Sequence, residues 1–151
     1  MDSASHWQVV DQDQAELAQA VIGDTSVTGI FPLAEMNNSG QVVAAYLKKH
    51  PYPLERLLII HDDLEVVLGQ ASRKESGSAR GHNGVKSIHD ALGTQDIRRL
   101  RLGIGRPPEG VATRDYVLST FSEEELLVLQ GAEHTSFLLL ASTLVSSEEK
   151  D

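Results

Sequence analysis

Apolar residues recur along this chain in two periods, and the changes between them mark the elements. AELAQAVI (15–22) and TSVTGIF (25–31) are separated by Gly-Asp and read as the two arms of a hairpin, although the first also has helical composition. In NNSGQVVAAYLKKH, Val42, Val43, Tyr46 and Leu47 fall at helical spacing, with Asn38 or Ser39 available as cap and basic residues in the last turn. That helix stops before Pro51 and Pro53. ERLLIIHDD is a continuous apolar run ending in charge, the pattern of a strand covered on both faces in an α/β sheet.

Gly69 to Lys74 is a short strand candidate, followed by the loop GSARGHNG and a short amphipathic helix, VKSIHDAL. RRLRLGIG alternates, with Arg99 and Arg101 on one face and Leu100, Leu102 and Ile104 on the other. Gly105 to Gly110 is a proline-bearing loop. Ser122 and Glu125 form a capping box that opens a long helix through LLVLQGAEHTSFLLLASTLV. Strands alternating with helices predict an α/β domain, and 151 residues fit one such domain, 1–151, with a flexible leader (1–14) and tail (146–151).

The chain has no cysteine, so it has neither disulfides nor thiolate metal sites. No apolar run approaches bilayer length, and MDSASHWQVV has neither the basic nor the apolar part of a signal peptide, which predicts a cytoplasmic protein, with an organelle as the other option. The net charge of −9 conceals an uneven distribution. Residues 72–106 hold eight basic and three acidic residues, a window of +5 against −14 for the other 116. Such a window forms either one positive face for a polyanion or a set of ordinary solvated side chains.

The chemistry concentrates in the same region. Gly81 and Gly84 bracket His82 and Asn83 at a loop-to-helix junction, where unpaired backbone N–H groups favour an anion. Asn83 is also a good helix cap, so both readings stand. His61-Asp62-Asp63 ends a strand at the carboxyl edge, where open α/β sheets bind ligands. Asp62 equally suits a turn cap, and His61 reads as a packed edge histidine.

EMNNSG (35–40), HDDLEVVLG (61–69), GSARGHNGVKS (77–87) and RLRLGIGRP (99–107), in this order, resemble the bacterial-type peptidyl-tRNA hydrolase family, including its eukaryotic members. The four motifs extend over about seventy residues of the chain. The resemblance implies a three-layer α/β/α fold with a mixed twisted sheet. It also implies hydrolysis, without metal or cofactor, of the ester joining a peptide to the terminal ribose of tRNA by a monomer that binds no membrane. By position, Asp62 matches the carboxylate that orients a general-base histidine, and Asn37 and Asn83 match the amides that position water and the substrate's 3′ end. Glu35 and His82 would line the same cleft, and Lys74 and Arg101 match basic positions that meet tRNA phosphates.

These residue types suit the reaction. A carboxylate on one imidazole nitrogen raises the basicity of the other, and a carboxamide offers a donor and an acceptor together. The family's opening strand, its Gly-x-Gly-Asn-Pro-Gly loop and its catalytic histidine have no counterpart here, and His6 lies in a polar leader unlike that site. The resulting expectation is a chain shortened by roughly 25 to 35 residues, with an open sheet edge beside residues 56–61. Glu35 stands where the family has an aromatic, and its carboxylate would repel a polyanion. The missing base also leaves two other readings: an RNA-binding protein without turnover, and a product with no stable fold.

Overall fold

The computed structural model describes residues 8–10 and 13–145, and among these residues there are six strands in two sheets and four α-helices. The first sheet is antiparallel: β1 (Gln8–Val10), β2 (Ala15–Ile22) and β3 (Thr25–Pro32), in that spatial order. The predicted hairpin is β2–β3, with Ile22 opposite Thr25 and Gly23 at φ +62° in the turn. Val10 pairs with Ala15, so part of the expected flexible leader is a sheet strand, placed by a turn with Gln14 at φ +51°. His6 and the tail 146–151 lie outside the described residues.

The second sheet runs β4 (Leu58–Asp63), β6 (Arg98–Gly103), β5 (Ala71–Lys74), with β4 parallel and β5 antiparallel to β6. Helices α1 (Ser39–Lys49) and α2 (Asn83–Leu92) cover one face. There Val43, Ile59, Val85, Ile88 and Ile97 form the core, each worth about 1.5–3 kcal/mol when fully buried. The long α4 (Glu123–Val145) lies along the other face, over Leu102 and Gly103, and the Thr143 carbonyl accepts a hydrogen bond from Arg98. A short α3 (Thr113–Val117), absent from the sequence reading, precedes it, and Tyr116 Oη donates to the Ile104 carbonyl at 2.5 Å. The layering is therefore the expected α/β/α with a mixed sheet.

The capping box holds: Ser122 N–H donates to Glu125 Oε1 at 2.8 Å, and Glu125 N–H donates to Ser122 Oγ at 3.2 Å. One strand expectation needs correction, and one open alternative is decided. β4 is not covered on both faces, because Ile60 is 49% exposed, and among the described residues its only ladder partner is β6. Arg99 is not a solvated side chain; it is 2% exposed beneath the loop before α2, where it donates to the Ser78 carbonyl at 2.9 Å. The alternation of β6 holds, with Arg99 buried and Arg101, on the same face, only partly so.

Candidate active site

The end of β4 and the start of α2 meet through one short contact, with His82 Nε2 2.7 Å from Asp62 Oδ1. The other ring nitrogen, Nδ1, accepts the Val85 N–H at 3.2 Å, so His82 caps α2 with its own side chain. Asn83 is the first helical residue rather than the cap. Because Nδ1 accepts, Nε2 must carry the proton and donate to Asp62. That hydrogen bond holds the Asp62 carboxyl below the usual carboxylate range, against the opposing effect of burial.

Beside this pair, His61 is 8% exposed, which agrees with the packed histidine expected. Its Nδ1 lies 2.8 Å from the Asp62 carbonyl oxygen and donates to it, and its ring meets His82 edge-on with centroids 5.1 Å apart. Burial pushes the His61 pKa down, and Nε2 is left without a partner. Within the described cleft, then, no imidazole nitrogen is both free and open to solvent.

The Met36–Asn38 turn brings the first motif to the same place. A Cβ on Gly84 would lie 2.4 Å from Met36 Sδ and 3.2 Å from His82 Cε1, so a larger residue there would displace the Met36 side chain and crowd the His82 ring. Asn37 and Asn83 are exposed, and neither carboxamide has a hydrogen bond among the described residues. Glu35 is exposed at the head of the same turn, where its carbonyl accepts from Asn38 N–H at 2.8 Å.

The basic positions divide. Arg101 lies 3.6 Å from Asp63 and donates to Ser72 Oγ at 2.9 Å, which ties it to the end of β4. Lys74 faces Arg99 across the β5–β6 ladder, two residues farther from the dyad, about 7 Å along the strand. Burial and then Arg99, Arg80 and Arg101 lower the Lys74 pKa, so the amine sits in a cationic surround. Elsewhere in the +5 window three cations are paired with carboxylates, Arg73 with Glu75, Lys86 with Asp90 and Arg106 with Glu65, while Arg98 and Arg99 donate to the Thr143 and Ser78 carbonyls. The positive face is thus narrower than the window, centred on Lys74 and Arg80 with Arg101 shared with Asp63.

Sequence reasoning placed Asp62 and His82 in one cleft without pairing them. It missed Ser87, Gly40 and Met36, although Gly40 and Gly84 sit inside the quoted motifs and were the available signal. Among the described residues no group of three His, Cys, Asp or Glu side chains is placed to hold a metal, and no helix is long and apolar enough to cross a membrane.

A family model described as Peptidyl-tRNA hydrolase matches residues 2–149. The chain is 41% identical over 118 residues to the peptidyl-tRNA hydrolase of Staphylococcus epidermidis, covering 78% of this chain and 62% of the relative. It is 38% identical over 122 residues to peptidyl-tRNA hydrolase 2 of Corynebacterium jeikeium, covering 81% and 51%. The fold matches the crystal structure of peptidyl-tRNA hydrolase from Acinetobacter baumannii with a TM-score of 0.83 at 26% identity, over 97% of this chain and 74% of that one. The chain therefore spans less than two thirds of the length of these two curated relatives. A family match beginning at residue 2 gives no support to the expected N-terminal shortening.

Proposed function

The chain belongs to the peptidyl-tRNA hydrolase family, and on that footing we propose that it hydrolyses the ester between a peptide, or an N-blocked amino acid, and the terminal ribose of tRNA. The observation that carries this reading is the convergence of Asp62–His82 with Asn83 and the Met36-Asn37 turn at one edge of the sheet. Water adds to the ester carbonyl, the tetrahedral adduct collapses, and the C–O bond to ribose breaks, leaving a peptide acid and a ribose hydroxyl. Asn37 and Asn83 have unspent donors and acceptors for the water and the ribose oxygens. Lys74 and Arg101 supply positive charge for phosphates, while Glu35 and His82 border the bound 3′ end.

The water's proton needs an acceptor. His82 Nδ1 becomes one only by releasing the Val85 N–H, the longer of its two bonds at 3.2 Å. Asp62 would then hold the ring through Nε2 and stabilise the imidazolium. A second reading, tRNA binding without turnover, is favoured by the commitment of both His82 nitrogens.

Single-turnover hydrolysis of an N-blocked aminoacyl-tRNA, compared with Asp62→Ala and Asn83→Ala, tests this. Cleavage that falls about 10²-fold or more in Asp62→Ala is the expected result. No cleavage above buffer from folded protein that still binds tRNA in a salt-dependent manner would sustain the second reading instead.

A further inference from the structure

Helix α1 begins without a cap of its own, since the Asn38 side chain makes no capping hydrogen bond. The hydroxyl of Ser87, on the second turn of α2, takes that role from 47 residues away: Gly40 N–H donates to Ser87 Oγ at 2.8 Å. The same hydroxyl donates to the Asn37 carbonyl oxygen at 2.9 Å. One side chain thus satisfies an orphan donor of the helix start and the carbonyl of the residue bearing a candidate carboxamide. The approach is closed to anything larger than glycine, because a Cβ at Gly40 would lie 1.9 Å from the Ser87 carbonyl oxygen.

Resting on the proposed hydrolysis, we infer that Ser87 is a positioning residue that sets the Asn37 carboxamide relative to Asn83. The Asn37 side chain has no hydrogen bond of its own among the described residues, so its placement depends on the Cα–Cβ bond that its backbone sets. Holding the Asn37 carbonyl fixes the peptide plane from which that direction follows. Asn83 and Ser87 lie on the same helix one turn apart, so the clamp refers the first amide to the second directly. A merely structural cap would need only the Gly40 bond; the second bond goes to the functional segment.

The test compares Ser87→Ala with Ser87→Thr, which keeps the hydroxyl, reading the side-chain amide resonances of Asn37 and Asn83 by NMR and kcat and KM separately. In Ser87→Ala the Asn37 resonances shift and those of Asn83 change little, kcat falls about tenfold or more with KM within twofold, and Ser87→Thr recovers both. Unmoved Asn37 resonances in folded Ser87→Ala overturn the inference, as does a lowered melting temperature with kcat unchanged, which would make Ser87 a cap and nothing more. Should Ser87→Ala not fold, Ser87→Cys, which keeps a weaker donor and acceptor, takes its place with the same two criteria. Absence of hydrolysis in the unmodified chain counts against the proposed function, while the resonances still decide the role of Ser87.

Discussion

His82 binds Asp62 through one ring nitrogen and the Val85 N–H through the other, so a single imidazole both partners the candidate carboxylate and starts α2. The dyad is therefore built by the same contact that caps a helix.

The two roles separate by substitution. His82→Ala removes the α2 cap and should cost about 1 kcal/mol, a typical price for losing an N-cap acceptor. His82→Asn restores a good capping side chain and should recover most of that loss in urea unfolding, yet leave hydrolysis as low as in His82→Ala. Recovery of hydrolysis by His82→Asn would remove the imidazole from the reaction.

Stability should fall on the acid side for a stated reason. Burial lowers the pKa of His61, opposed by its bond to the Asp62 carbonyl and assisted by His82 and Arg99; burial and Arg99 lower that of His89, opposed by Asp90. A histidine whose folded pKa lies below its unfolded value of about 6.5 binds more protons when unfolded, so stability is lost as pH falls below 6.5. Below about 3.8 the Asp62 contribution is lost in turn, since its folded pKa is also depressed. Urea midpoints between pH 5 and 7.5 should slope upward, and His89→Leu should flatten the slope.

Two glycines should fail for different reasons. Gly40→Ala forces a Cβ against the Ser87 carbonyl and should destabilise by about 3 kcal/mol, the upper end of ordinary overpacking. At Gly81 nothing lies within 4 Å of a Cβ, but φ is +87°, so Gly81→Ala should cost only about 1–2 kcal/mol of backbone strain. Denaturation curves for the two variants would resolve the difference.

Salt dependence should locate the polyanion face. Lys74→Ala should lower the slope of log K against log salt for tRNA binding by about 0.7–0.9, the share of one phosphate contact. Arg99→Met should leave that slope unchanged while destabilising the fold, because Arg99 is buried on the Ser78 carbonyl. Equal slopes for Lys74→Ala and the unmodified chain would place the phosphates elsewhere.

Much of this arrangement was readable from the chain, and its limits have physical causes. Elements with a local signature, such as the Gly-Asp hairpin and the Ser122–Glu125 box, were placed correctly because the interactions that define them span a few residues. The cleft residues were gathered by motif, but their pairing was not, since Asp62 and His82 are 20 residues apart and only the fold decides which imidazole the carboxylate meets. Asn38 stands at the N-cap position of α1 as one of the two candidates, but the capping acceptor comes from α2 and could not be read locally. The burial of Arg99 was not readable, because alternation reveals which side chains share a face, not what covers it. The three-residue β1 was too short for periodicity to mark.

Asp62 stands on a strand with a single described neighbour in the ladder, β6. Backbone amides on the outer side of such a strand have no ladder bond among the described residues, so they can exchange with solvent by local opening rather than by unfolding of the whole domain. The carboxylate is thus mounted on the margin of the described sheet, and deuterium uptake along β4 would report on the integrity of the cleft separately from that of the core.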